Sequence, residues 1–448
     1  MKQSKKIIND GKIKISMHLM SVLFFFSIFF MPDYFGIKLG VAFNMQRILL
    51  IFIWCWIFRV EFRKKKMISI IAYNKTNVFI ALYLFVCFYT MVLRVDIGTF
   101  MNPLIDYIAV FYTTIYFMQT EWDVKDFIKF ITKIGYTLCC LGIVEAIVKK
   151  PLFGILETIP GMFVGTVIRD GSYRIMGPAH HPLGYGLFLL ILFPLVCYDE
   201  DNNKINIFKN VPLIVLIVLN VLLTGSRSTL GIMAIEVLML AIFSEKKEKK
   251  LYLLVGVWGI ILITLLSILF FNTAVVHALL GRLAATIDGA FGTSLAFYLD
   301  LHSASLKDSS QYRSYLPLIF KLDWLNPFLG RGNSYSFGWH VGGYWIVSID
   351  NFYVGQYIKI AYPGLITTVL LCLANVKNTL IGMIKTKDIF YKCLFVIFFA
   401  YFLNLWWVDS LGTLDYIFVL FGILYVRLEG IREKGEKNEN RINRSIFE

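Results

Sequence analysis

The stretch "LLTGSRSTLGI" (222–232) sets Arg227 between Ser226 and Ser228, with Gly225 before and Thr229 after. Strongly apolar runs flank it at 211–223 and 229–243. These residue types make an anion site. Hydroxyls cap the start of a helix, its first N–H groups and positive dipole end face a negative group, and the arginine adds a full charge. Each flanking run covers only about 20 Å of a membrane core roughly 30 Å thick, so the turn is expected to sink below the surface. An arginine at lipid-facing mid-depth costs roughly 2.5–3.5 kcal/mol or more, and irregular backbone at depth needs a cavity or protein around it. The expectation is a recessed, outward-open polar cavity with Arg227 in its wall. The alternative is an arginine that snorkels to the interface or pairs with an acid.

Two other segments carry chemistry-bearing residues. "GTVIRDGSYRIMGPAHHPLGYG" (165–186) contributes Arg169 and Arg174, which are either ligands or interface anchors. Its "GPAHHP" is a turn with a proline stop before a helix. His180 and His181, adjacent, are weak evidence for a metal, and none is expected. "LNPFLGRGNSYSFGWHVGGYWIVSIDNFYVGQYIKIAYPGLI" (325–366) contributes Asp350, either a base facing arginines or the cap of the helix that follows. His340 is a second candidate base, or an exposed loop residue. Tyr335, Trp339, Tyr344 and Trp345 either stack on sugar faces or belong to an interfacial belt.

The elements that must position these residues follow from composition. The chain has 448 residues, 58% hydrophobic and 16% aromatic. That exceeds soluble domains, and apolar runs recur along nearly its whole length. The runs are continuous rather than alternating, which argues against a β-barrel. The expected fold is all-α, a single integral membrane domain (1–448) forming a polytopic transmembrane bundle. About twelve spans lie near 17–31, 45–59, 77–93, 104–118, 127–148, 183–198, 211–223, 229–243, 251–271, 351–373, 390–407 and 411–427. The first is read as an uncleaved span rather than a signal peptide.

The net charge of +14 is read as the positive-inside rule. No basic domain stands apart, so nucleic acid is not an expected partner. The N-terminal lysines, "RVEFRKKK" (59–66), "EKKEKK" (245–250) and the polar tail 428–448 all fall on one side, which places both termini in the cytoplasm. The tail's last dozen residues are expected to fray. The segment 272–350 becomes a long extracytoplasmic loop of mixed charge, expected to carry short helices. Five of the six histidines fall in outer loops. Glu145 and Glu236 are the exceptions to a rule of few charges inside the spans. The seven cysteines lie in apolar runs, with neither disulfide nor zinc spacing.

Taken in order, "RIMGPAHHPLGYG", "LLTGSRSTLGI" and "NPFLGRG…IDNFYVGQYIKIAYPGLI" resemble the O-antigen polymerase/ligase superfamily of membrane glycan-assembly enzymes. The resemblance covers roughly 170–370. It implies a metal-independent, cofactor-free glycosyltransferase acting on the outer face of a bacterial cytoplasmic membrane. Its donor would be an undecaprenyl-pyrophosphate-linked oligosaccharide, with membrane lipid around it and a flippase and chain-length regulator as pathway partners. By position, Arg227 fits the turn arginine, Arg174 the arginine before the Gly-Pro turn, and Arg313 or Arg282 the loop arginine. Ligases of the superfamily show a histidine where Asp350 stands here. The departure favours a repeat-unit polymerase over a lipid A-core ligase and leaves the base open. A flippase, the competing class, would carry charges along its helices at mid-membrane and an inverted repeat.

Overall fold

The computed structural model describes residues 16–447, apart from Gly40, Lys75, Asp170, Gly171, most of 253–292, and 299–311, with side chains as far as Gly430. The protein is mostly helical. Among the described residues, the principal α-helices are α1 (Met17–Phe29), α2 (Met45–Phe58), α3 (Glu61–Ala72), α4 (Asn77–Arg94), α5 (Gly98–Asn102), α6 (Val110–Thr120), α7 (Val124–Val148), α8 (Pro182–Cys197), α9 (Val211–Leu223), α10 (Arg227–Phe243), α11 (Phe352–Lys385), α12 (Phe390–Asn404) and α13 (Leu414–Phe447). A π-helix, Pro103–Ala109, leads into α6.

Polar residues at the boundaries start these helices. Asn44, Asp123 and Asn351 each accept a hydrogen bond from the amide three residues on, at 2.9, 2.8 and 3.0 Å. Every residue of α8 except Leu183 is buried. A helix that is apolar on all sides belongs at the centre, and α7, α9, α10 and α12 pack around it. Outward faces are apolar as well. On α4, Phe85 and Leu93 are exposed, and on α9, Val215 and Leu219. That pattern suits lipid rather than water.

Among the described residues, three helices are long and apolar enough to cross a membrane: α4, α7 and α11. Five shorter apolar helices accompany them, α1, α2, α8, α9 and α12. Twelve full-length spans are therefore not reproduced, and the expected span 251–271 falls largely outside the described residues. The apolar runs end early because capping residues and turns cut them. At 1.5 Å per residue a 16-residue helix reaches about 24 Å.

Three other expectations need correction. The basic stretch 59–66, placed in a loop, mostly belongs to α3. Its straight-chain residues are good helix formers, Met67 and Ile70 are buried, and Arg63 stacks on Trp56 at 3.7 Å. The span at 351–373 continues to Lys385 and is broken inside, at Ile360 and Ala361. The tail continues α13 as helix to Phe447 rather than fraying. In the long loop, the described part holds short helices as expected, Leu295–Tyr298 and the 3₁₀ helix Leu316–Lys321, together with an unforeseen hairpin of Trp339–Val341 with Tyr344–Ile346.

Candidate functional site

The C-terminal end of α9 is where the first expected residues meet. Gly225 has φ +61°, a left-handed turn that favours glycine. A Cβ there would lie 3.2 Å from Nε of Arg174. Arg174 is 6% exposed, and its Nε donates to the Thr224 carbonyl at 2.6 Å. Ser226 caps α10, accepting from the Thr229 amide at 3.3 Å, and its Oγ meets Thr229 Oγ1 at 2.7 Å and Ser228 Oγ at 3.3 Å. Arg227 opens α10 and is half-buried. Thr224, Ser226 and Thr229 are buried, so the turn is enclosed in protein.

The segment that delivers Arg174 is braced from α7. The Glu145 carboxylate accepts from Tyr173 Oη at 2.9 Å, the Met176 amide at 2.9 Å and the Gly177 amide at 3.1 Å. This acid in the last turn of α7 therefore holds a loop. The other one, Glu236, is fully buried in α10, with no hydrogen-bond partner for either oxygen among the described residues. Arg169 lies half-buried on a two-residue strand paired with Ser172–Tyr173, just ahead of Arg174.

In the outer loop, Arg313 and Asp350 form an ion pair at 3.6 Å, and Asp350 also accepts from Ser348 Oγ at 3.1 Å. Asp350 is not the cap of α11. Asn351 takes that role, and its Nδ2 reaches the Trp406 carbonyl at 2.8 Å. His340 stands apart, exposed on its hairpin opposite Trp345. Trp339 and Tyr344 pack into a small core that the loop shares with the start of α11, with Leu316, Ile319 and Ile346 beside Val354, Tyr357 and Ile358. Of the four aromatics considered for stacking, Tyr335 and Trp345 are exposed. Arg282 lies outside the described residues.

A cavity of about 760 Å³ opens where the ends of α1, α2, α4, α8 and α13 converge. Of the residues weighed from the sequence, His180 and Tyr335 line it, whereas Arg169, Arg174, Arg227, Arg313, Ser226, Ser228, Asp350 and His340 do not. Its walls carry two linked pairs. Arg47 donates from Nε to Asp106 at 2.7 Å, with a second guanidinium contact to the same carboxylate. It also reaches Asn102 Oδ1 at 3.0 Å and the Ala42 carbonyl at 2.8 Å. The π-helix turn carries Asp106 to it. Across the cavity, His180 Nδ1 lies 2.9 Å from Asp33 Oδ2. Burial pulls the His180 imidazole down, but the hydrogen bond and charge of Asp33, with Asp409 behind, carry it above its ordinary value. His181 points elsewhere, capping α8 by accepting from the Leu183 amide at 3.1 Å. Burial first, then the charges of Arg174 and His180, push it down to about 4.

The remaining wall is the "LGRG" turn. Asp96 accepts from the Ser334 amide at 2.8 Å, Ser334 Oγ at 3.0 Å, Thr99 Oγ1 at 3.0 Å and the Gly98 amide at 3.1 Å. Burial acts to raise this carboxyl, but these donors hold it below its ordinary value. Arg94 donates to the Gly330 carbonyl at 2.7 Å, and Arg331 lines the cavity between Trp324 and Tyr335.

Sequence reasoning passed over Asp33, Arg47, Asp106 and Arg331. A usable signal was present for two of them. Arg47 and Asp106 fall inside expected spans, and an ionisable residue there is a site by default, with its partner to be found. Comparison of the chain with protein-family models and with characterised proteins returns no match.

Proposed function

We propose that the protein is a multi-pass enzyme of a bacterial cytoplasmic membrane, about twelve spans with both termini cytoplasmic, that polymerises undecaprenyl-pyrophosphate-linked oligosaccharide units on the outer face. The observation that carries this is the packing of Arg174 onto the turn that presents Arg227. It gathers two cations, a capped helix start and buried hydroxyls at one recessed point. Such a cluster suits a pyrophosphate leaving group. Guanidinium forks match phosphate oxygens, and charge developing on the leaving group is stabilised more strongly away from water. Arg313, Arg169 and Arg282 are the further cations of the reading, with Ser226 and Ser228 as hydroxyl ligands. Direct attack by an acceptor hydroxyl, with no covalent intermediate, inverts the anomeric centre.

The test is the surface-glycan ladder of a deletion strain complemented with wild type, Arg227→Ala or Arg227→Lys. Single repeat units on the final acceptor in the deletion strain, reproduced by Arg227→Ala at normal membrane protein level, support a polymerase. Arg227→Lys keeps the charge without the fork and should shorten the ladder. Long polymer stranded on its lipid carrier would make the protein a ligase. Lipid-linked units accumulating on the cytoplasmic side would overturn the enzyme reading in favour of a flippase.

A further inference from the structure

The cavity lies at the start of α8, the helix whose Gly186 packs against Thr229 of the arginine turn, and it has a chemistry of its own. Asp33, Asp96, Asp106 and Asp415 face it together with Arg47, Arg94 and Arg331. Charge is close to balanced, and Arg47 and Asp106 are bound to each other. A polyanion would meet carboxylates here. A saccharide would not be repelled, because its hydroxyls both donate to carboxylates and accept from guanidinium groups. Tyr335 adds an exposed ring to the wall, while Tyr107 and Tyr416, which also line it, are stacked on Phe418 and Phe29. The volume lies within the range of small-molecule sites.

His180 is the group in this wall with a base's geometry. Its Nδ1 is held by Asp33, which fixes the neutral ring as the Nδ1–H tautomer and leaves Nε2 to accept a proton. The charged groups that face it are Asp33 after α1 and Asp409 before α13, with Arg47, Asp106 and Asp415 in the other cavity walls. Six residues upstream is Arg174, and His181 feels both Arg174 and His180. Base and Arg174 thus belong to one stretch, braced by Glu145, and Arg174 in turn packs on the arginine turn.

We propose that this cavity binds the acceptor saccharide and that His180, oriented by Asp33, is the general base of the transfer. The proposal rests on the glycan-transfer reading above. The acceptor oxygen bonds to the anomeric carbon of the donor. The bond from that carbon to pyrophosphate breaks, and its electron pair leaves with the lipid pyrophosphate. The acceptor's proton passes to Nε2 of His180 and then to water. The loop candidates fit the task less well, because Asp350 is paired with Arg313 and His340 is exposed on a hairpin.

The experiment uses membranes of the native host, in which the lipid-linked units form from radiolabelled sugar nucleotides. Polymer is measured against pH and normalised to protein level. The wild-type rate should rise with pH through the His180 titration. His180→Gln should lose about 100-fold or more and the rising limb with it. Asp33→Asn should keep part of the activity and move the limb to lower pH, since the carboxylate that raises the imidazole is gone. The limb's position does not depend on how much protein folds. Asn333→Trp, filling the cavity from the "LGRG" side, should shorten the product without moving the limb. If His180→Gln keeps the wild-type rate and limb while Arg227→Ala is inactive, the proposal falls and the transfer reading stands. Wild-type product from Asn333→Trp removes the acceptor site. If Arg227→Ala and His180→Gln both polymerise normally, the transfer reading falls as well.

Discussion

Gly332 donates its amide to the carbonyl of Lys359 at 3.0 Å, and Lys359 is the residue whose carbonyl Pro363 cannot serve. In an unbroken helix the amide four residues on would bond it, and proline has none. The neighbouring Arg331 amide takes the Ile358 carbonyl at 2.8 Å, while the Tyr362 amide turns to Pro327 at 3.1 Å. The "LGRG" turn is thereby spliced into the break of α11. A Cβ on Gly330 would sit 2.1 Å from the Lys359 oxygen, against backbone that has no side-chain freedom to yield. Gly330→Ala should therefore destabilise by about 1–3 kcal/mol or more. Thermal unfolding of the purified protein in detergent checks this, and an unchanged Tm would rule out the splice.

Arg174 and Arg227 should separate by readout. Arg174 is buried and serves the Thr224 carbonyl. Arg174→Ala leaves that acceptor unsatisfied, which costs about 1–3 kcal/mol, so both Tm and glycan ladder should fall. Arg227 is half-buried at a helix start whose cap is supplied by Ser226. Arg227→Ala should spare Tm and remove polymer. A Tm loss for Arg227→Ala as large as that for Arg174→Ala would make the turn arginine structural.

What the sequence made legible was local. The apolar runs located α4, α7, α8 and α12, and the serine-arginine turn announced both the cap at Ser226 and the enclosure of its backbone. The pairing of Asp350 with Arg313 was within reach, since a carboxylate facing arginines was one of its two readings. The cavity was not legible, because its walls come from five helix ends far apart in the chain. Asp33 and His180 are separated by 147 positions, and no spacing rule connects them. The break in α11 was hidden for a similar reason. Pro363 marks a missing donor, but the amides that replace it come from a loop some thirty residues upstream.

Asp96 gives a pH-dependent test of the same loop. Its folded value is depressed, so its contribution to stability is present at neutral pH and is lost as pH falls through that lowered value. Asp96→Asn removes the charge that draws Ser334 and Thr99 together. Limited proteolysis should cut 326–335 faster in Asp96→Asn at pH 7, and in wild type only under acid conditions. Equal cutting of the two at pH 7 would show that Asp96 does not anchor the turn.

His181 makes the opposite kind of contribution from His180. Its folded value is about 4 against an ordinary value near 6.5. Between these the unfolded chain binds a proton that the folded protein does not. Stability therefore falls as pH drops from about 6.5 to 4, by at most about 3 kcal/mol. His180, raised in the folded state, gives stability that is present below about 6.5 and lost as pH rises through its folded value. Replacing His181 must keep its cap on α8, and asparagine does so. His181→Asn should flatten the acid side of the Tm-against-pH curve and leave the side above pH 6.5 close to wild type, since every other acid titrates alike in both proteins. If the two curves run parallel between pH 6.5 and 4, the imidazole is not held neutral beside Arg174.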